Sequence, residues 1–451
     1  MPLSPARRAA LEILRRVEAE DAYASSLLAT MDERMRSDDR ALCHELVLGV
    51  LRQQLWLDRV LEHFANRRIE KLDLQVRLAL RLGLYQLRFL TRIPPSAAVN
   101  ESVNLVRAAG LRSAAGFTNA VLRGAAREPN YDPAEDIADP IEKLAIESSH
   151  PAWMIERWAN SLGLDEAGAL ARANNEPAAV AFRFTARTIA RKDEQQRIIK
   201  ELIDSGAGVQ PSNLAPNSWR VIGPRPALLQ SLTGAGLIYL QDEASQLVAH
   251  LVAAQPGDRV LDVCAAPGSK TSLIASMAPQ ATIVAADLYE HRVRILRELS
   301  ATQDLNSIQL VVADATGDLP FAKASFDRVL VDAPCSGTGT LRRNPEIRWR
   351  LEALDITALA EKQKRILANA ADMVRPGGRL FYSTCSLERE ENELVAADFL
   401  QEHEDFEQLA LHQVRVDQAA EDLANASGVV RTWPQLQDVD GFFLAAFKRH
   451  A

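Results

Sequence analysis

"RVLDVCAAPGSKT", residues 259–271, decides the fold. It opens as a short apolar run of strand character, turns at Pro267 and Gly268, and ends as the start of a helix. Working outward, further short apolar runs stand at 283–287, 308–313, 328–332 and 379–383, with helical stretches at 270–278, 290–302 and 354–374 between them. Such alternation predicts a parallel sheet covered on both faces by helices. A final run, "GFFLAAFKR" at 441–449, is expected to close the sheet edge.

A strand–turn–helix of this kind occupies the place of a dinucleotide fingerprint. The G-x-G-x-x-G spacing is missing, because Gly268 stands alone in the turn. That disfavours a nicotinamide oxidoreductase. Open α/β sheets nevertheless bind ligands outside the carboxyl ends of their strands, and Asp287, Asp314 and Asp332 end the second, third and fourth of them. A single aspartate there is an ordinary cap. Three at successive strand ends predict a nucleoside pocket, with Asp287 suited to ribose hydroxyls and Asp314 to a base amino group.

Two strand ends, the fourth and the fifth, carry sulfur: "DAPCSG" at 332–337 and "STCS" at 383–386. The chain has four cysteines, at 43, 264, 335 and 385, with no CxxC pair and no zinc spacing. Free thiols in a reducing, cytosolic compartment and no metal site are therefore expected. The first residues, "MPLSPARRAALEILRRV", lack the apolar core of a secretory signal, and no apolar run approaches the ~20 residues that span a bilayer. Cys43 lies in a helical pattern and reads as core. Cys264 sits in the turn, where backbone contact outweighs thiol chemistry. Packing would also explain either Cys335 or Cys385 taken singly. Both lie beside small residues (Ser336, Gly337, Ser386) past strand ends near the expected pocket, and this favours chemistry. A thiol of ordinary pKa, about 8.5, is only a few per cent ionised at neutral pH and needs a base, a positive field or a helix N-terminus to act as nucleophile. Spacing leaves open which of the two is so activated.

The 451 residues suggest about three domains at roughly 150 residues each, and 47% hydrophobic with 25% charged residues is ordinary for a globular chain. The formal charge of −8 is unevenly spread: residues 1–128 hold 20 Lys+Arg against 15 Asp+Glu, a net of +5, which leaves −13 for the rest. Those first residues read as helix, and all their basic residues except Lys71 are arginine. Arg77, Arg81 and Arg88, with Arg92 if the helix continues, fall on one stripe at 100° per residue. Arg342, Arg343, Arg348 and Arg350 surround Trp349. Both sets are candidate RNA contacts, because guanidinium forks suit phosphates and an indole suits a stacked base. Residues 129–235 read as a linker followed by a small α/β intermediate module, and 236–451 as the sheet domain.

These motifs carry a family resemblance. "RRAALEILRRVE", "RALCHELVLGVLRQQLWLDRVL", "LRLGLYQLRFL" and "AVNESVNLVR" resemble the all-α RNA-binding domain of NusB-type proteins. "DVCAAPGSKT", "DAPCSGTG" and "STCS", with "LQDEASQ" at 240–246 and "DGFF" at 440–443, resemble the S-adenosylmethionine-dependent RNA 5-methylcytosine methyltransferases, whose domain is Rossmann-like. The whole chain is similar to the RsmB (Fmu/Sun) family. The resemblance implies methyl transfer from S-adenosyl-L-methionine to carbon 5 of a cytosine in 16S rRNA, with cytosine 967 as target. It implies a covalent bond from Cys385 to carbon 6, with Cys335 assisting release and Asp332 contacting the cytosine. Cys264, Ala265, Ala266, Pro267, Gly268, Ser269, Lys270, Asp287, Asp314 and Asp332 are the implied cofactor contacts. The implied partner is 16S rRNA, free or in an early assembly state, bound by a monomer without DNA or membrane. A tRNA methyltransferase and a non-catalytic RNA-binding assembly factor are the rival readings.

Overall fold

The computed structural model describes residues 3–31, 35–223, 227–410, 423 and 428–451. The chain divides into two compact units, Met1–Pro177 with Leu341–Leu351, and Ala178–Thr340 with Glu352–Ala451.

The first unit is helical. Helices Pro5–Ala19, Ala24–Ala29, Ser37–Arg52, Gln54–Ala65, Leu74–Phe89, Pro95–Ala108 and Ala115–Arg127 share one core, in which Cys43 is wholly buried. Pro5 and Pro95 each open a helix, where an N–H would lack an intrahelical partner anyway. Asp73 caps the helix Leu74–Phe89 by accepting the Gln75 N–H at 2.8 Å. That helix ends at Phe89, so Arg92 lies beyond it. Three more helices, Pro140–Ser148, Ala152–Leu162 and Leu164–Ala173, complete the unit. The stretch 129–235, read as a linker followed by a small α/β module, crosses the boundary at Pro177, with the helices Pro140–Ser148, Ala152–Leu162 and Leu164–Ala173 in the first unit and the strands with the helix Lys192–Asp204 in the second.

The segment Leu341–Leu351 interrupts the sheet domain in sequence, yet it is bound within the helical unit. Trp349 Nε1 donates to the Leu51 carbonyl at 2.9 Å, the Ala24 N–H to Glu346 at 2.8 Å, and Arg350 to the Val17 carbonyl at 2.6 Å.

The second unit holds two sheets. In the smaller, β1 (Val180–Phe184), β2 (Gly208–Pro211), β3 (Ser218–Ile222) and β4 (Ile238–Leu240) run antiparallel in the order β2-β3-β1-β4. Phe182 and Phe184 pack on Ile198 and Leu202 of the helix Lys192–Asp204. The larger sheet comprises β5 (Arg259–Asp262), β6 (Thr282–Asp287), β7 (Ile308–Val312), β8 (Phe326–Asp332), β9 (Val374–Thr384), β10 (Phe406–Leu409), β11 (Val430–Arg431) and β12 (Phe443–Arg449). Its path is β10-β12-β9-β8-β5-β6-β7, and β11 pairs with β12. Strands β5 to β9 are mutually parallel and β12 is antiparallel to β9.

The last strand does not close the sheet as expected, because β10 lies outside it. The burial pattern explains this. Phe443, Leu444, Ala445, Ala446 and Phe447 are all buried, which requires cover on both faces and both sides, whereas β10 leaves Glu407 and Gln408 exposed as an edge strand can. The chain runs outward from β5 through β6 to β7, then returns to β8 on the other side of β5. This reversal is the topological switch point, and sheets of this kind bind ligands in a crevice outside the carboxyl ends of the strands that flank it, here β5 and β8.

Candidate active site

The turn after β5 forms the floor of that crevice. Gly268 adopts φ +108° at the N-cap of the helix Ser269–Met277, and a Cβ there would meet Leu296 Cγ at 2.8 Å, so close packing and backbone conformation both select glycine. The turn is tied on both sides. Asp262 accepts the Thr271 hydroxyl at 2.7 Å, and Asp287 accepts the Ala266 N–H and the Tyr289 N–H, each at 3.2 Å. Asp287 is buried and lies 3.4 Å from Arg292. Beside it Leu288 and Tyr289 are exposed apolar surface. Asp314 is exposed and held by the Thr316 hydroxyl and N–H, which lower its pKa below the usual carboxylate value. Cys264 is half-buried; burial first, then the charges of Asp262, Asp332 and Asp287, push its thiol far upward, so it stays protonated.

Lys270 points from the first turn of the helix to Asp332 at the end of β8, Nζ to Oδ2 2.6 Å, and sits 4.9 Å from the centroid of the Phe442 ring. Ser383 of β9 donates to the other oxygen of Asp332 at 2.6 Å. Burial pulls the ammonium pKa down, but Asp332 and the charge of Cys385 outweigh it and leave Lys270 above its usual value. Lys270 is thus a fixed cation in the electrostatic surroundings of Cys385.

The sulfurs of Cys335 and Cys385 lie 3.4 Å apart, both as free thiols. The loop after β8 and the loop after β9 are in register because Gly339 N–H donates to the Cys385 carbonyl at 2.9 Å and Gly441 N–H to the Gly339 carbonyl at 2.8 Å. The Cys335 thiol is pushed well above its ordinary pKa by the hydrogen bond with Cys385, then by burial, then by the charges of Cys385 and Glu391. The sequence singled out both sulfurs, the turn and the three aspartates; the structure joins Lys270 of the turn to Asp332, and Cys335 to Cys385. Sequence reasoning missed Ser383, Gln363 and Glu391, which hold these groups in place.

The expected RNA contacts fare differently. Arg81 is buried and clamped by Asp58 at 2.7 Å and Glu18 at 2.9 Å, and Arg77 pairs with Glu18. Arg88 donates to the Glu128 carbonyl at 2.8 Å. Arg342 is buried with a bond to the Pro177 carbonyl at 3.0 Å, and Arg343 is half-buried. Arg348 is 0% exposed and donates to the Ser149 carbonyl at 3.1 Å and to Asn175 at 2.9 Å. Burial and the neighbouring Arg52 pull its pKa down to about 9. The expectation that Arg81, Arg342 and Arg348 reach RNA is therefore corrected: these guanidiniums hold the helical unit together. A cavity of about 560 Å3, bordered by Trp153, Trp349, Arg59 and Glu142, also belongs to that unit and contains none of the strand-end residues. Among the described residues no helix is long and apolar enough to cross a membrane.

Comparison with known proteins adds the following. Residues 249–448 match the family "16S rRNA methyltransferase RsmB/F", residues 4–127 the "NusB family", and residues 150–227 the "Methyltr_RsmF/B-like, ferredoxin-like domain". The probable ribosomal RNA small subunit methyltransferase B of Bacillus subtilis is 34% identical over 456 residues, covering 100% of both chains. The ribosomal RNA small subunit methyltransferase B of Escherichia coli O127:H6 is 33% identical over 407 residues, 89% of this chain and 91% of that one. Among solved structures, PH0851 is similar with a TM-score of 0.83 at 26% identity, covering 100% of this chain and 99% of that one. A methyltransferase homolog protein from Pyrococcus horikoshii gives a TM-score of 0.57 at 26% identity, covering 69% and 100%.

Proposed function

The chain belongs to the RsmB/F family of S-adenosylmethionine-dependent 16S rRNA cytosine-C5 methyltransferases, and from that premise we propose that it methylates cytosine 967 of 16S rRNA through a covalent adduct on Cys385. The observation that carries the reading is the pair of thiols 3.4 Å apart past the ends of β8 and β9. The crevice suits the cofactor, because a glycine-only turn, a helix N-terminus, the buried carboxylate of Asp287 and the exposed faces of Leu288 and Tyr289 supply what a nucleoside needs. Cys264 to Lys270, Asp287, Asp314 and Asp332 are its proposed contacts. When bound, S-adenosylmethionine supplies a methyl group made electrophilic by a sulfonium.

Carbon 5 of cytosine is too electron-poor to take that methyl unaided. Attack of the Cys385 thiolate on carbon 6 would form a carbon–sulfur bond and shift the ring's π electrons to carbon 5, which would then bond the methyl carbon as the sulfonium–methyl bond breaks and its electron pair stays on the departing thioether sulfur. Asp332, held by Lys270 and Ser383, is proposed to face the cytosine edge and stabilise protonation at N3. Once Cys385 is bonded to carbon 6, its hydrogen bond and charge, the first of them the largest cause, no longer hold the proton on Cys335, while burial remains. Cys335, its own thiol proton first given up to solvent, can then accept the carbon 5 proton as a thiolate, the 5–6 double bond re-forms, and the Cys385 thiolate leaves.

Mapping 5-methylcytosine in 16S rRNA from cells with and without this protein tests the assignment. A mark at 967 that depends on the protein supports it; a protein-dependent mark confined to tRNA refutes it. We further assign the protein to the cytoplasm as a monomer acting on RNA that is free or in an early assembly state.

RNA contact in the helical unit is reassigned to exposed arginines: Arg67, Arg68, Arg112 and Arg123. Arg67 lies over Phe117 at 5.4 Å, and the helices Gln54–Ala65 and Ala115–Arg127 pack together, so these charges share a neighbourhood. Replacing Arg67, Arg68 and Arg123 by Glu is expected to weaken RNA binding about tenfold or more and to flatten its salt dependence, with Tm nearly unchanged. Arg348→Ala should instead lower stability by about 3 kcal/mol, because its buried acceptors lose their donor. Filter binding across a salt series and thermal melts check the pair.

A further inference from the structure

Each of the two thiols is followed directly by a serine, Cys335-Ser336 and Cys385-Ser386, and both serine hydroxyls end on the same oxygen, Oε2 of Glu391. The other carboxylate oxygen accepts the Ser336 backbone N–H at 2.8 Å and Gln363 Nε2 at 2.9 Å. Glu391 is 0% exposed, and among the described residues no lysine or arginine pairs with it. A buried carboxylate without a cation is costly unless its lone pairs are filled, and here four donors fill them. The surrounding bonds reach both loops again. Gln363 also donates to the Pro334 carbonyl at 3.0 Å and accepts the Tyr382 hydroxyl at 3.0 Å, while Asn392 donates to the Ser386 carbonyl at 2.9 Å.

We propose that Glu391 is the positioning residue of the covalent chemistry: by clamping Ser336 and Ser386 it sets the two sulfurs against each other, so that Cys335 is placed to take up the proton when the adduct is released. This rests on the adduct reading given above. A cysteine and the serine after it share one trans peptide, with Cα atoms about 3.8 Å apart. Holding both serines on one oxygen therefore confines both preceding sulfurs. The bond from Gly339 to the Cys385 carbonyl keeps the loops together without Glu391, so the clamp governs the sulfurs rather than the fold. In the release step the bond between carbon 5 and hydrogen breaks and the proton passes to the Cys335 sulfur. The bonding pair re-forms the 5–6 double bond, and the pair of the carbon 6–sulfur bond departs on Cys385. The rate depends on how closely the clamp holds the Cys335 sulfur to that proton.

The test compares Glu391→Gln with wild type and with Cys335→Ala, reading kcat, KM for RNA, thermal stabilisation by S-adenosylmethionine, and the fraction of protein bound to RNA on a denaturing gel. Glu391→Gln should lower kcat about tenfold or more, leave KM and cofactor stabilisation unchanged, and raise the trapped fraction several-fold. A merely structural defect would lower adduct formation along with turnover. If the glutamine variant does not fold, the double replacement Ser336→Ala with Ser386→Ala carries the same expectation. Wild-type turnover, or lost turnover with no trapped species, overturns the proposal when Cys335→Ala does trap RNA. If Cys335→Ala traps nothing, the adduct reading itself fails, and this inference falls with it.

Discussion

Cys385→Ala is expected to lower cytosine methylation by at least about a thousandfold, the scale on which a covalent route outruns its absence, and to leave no protein–RNA species on a denaturing gel. The reason is local. Cys385 is the thiol in the surroundings of the Lys270 ammonium, whereas Cys335 is held protonated by its neighbour, by burial and by Glu391. Removing one sulfur leaves the turn Cys264–Lys270 and its ties to Asp262 and Asp287 untouched. Stabilisation of the variant by S-adenosylmethionine should therefore equal that of the wild type. A variant that retains turnover would transfer the nucleophile's role elsewhere, first to Cys335.

The second large effect is expected at a residue with no functional group. A Cβ at Gly339 would lie 2.0 Å from the Gly441 carbonyl oxygen and 2.8 Å from the Cys385 carbonyl oxygen. Both are backbone atoms, so no side chain can swing aside. Gly339→Ala must separate the segments 338–340, 385–387 and 440–442, breaking the bonds from Gly339 to Cys385 and from Gly441 to Gly339. The expected cost is about 2–3 kcal/mol or more, as for an overpacked core, together with loss of adduct formation because the loop that carries Cys385 is displaced from the ends of β8 and β9. Thermal melts and the same gel measure the two consequences. A stable, fully active alanine variant would show that the contact between these loops is not needed.

The elements around the site were legible because their signals are local. An apolar β-rich run ending in Asp287, Asp332 or the sequence before Cys385 announces a strand end within a few residues, and Gly268 marks the turn. The edge strand β10 gave no such signal, since "FEQL" alternates poorly and half of it faces solvent. Arg348 misled for a different reason. An arginine beside a tryptophan in a charged run reads as surface, and its acceptors at Ser149 and Asn175 are more than 170 residues away in sequence. Glu391 stands among the acidic residues of "EREENE" at 388–393, where nothing local distinguishes a buried carboxylate from its exposed neighbours. The doubled Cys-Ser pair was visible from the start and could have prompted a search for one shared partner.

The most direct measurement is peptide mapping of the covalent species formed by Cys335→Ala with 16S rRNA and S-adenosylmethionine. After nuclease and protease digestion, mass spectrometry should find a methylated cytosine nucleotide attached to the peptide that contains Cys385. A nucleotide on any other residue, or an enzyme that methylates RNA without ever carrying one, would contradict the covalent mechanism.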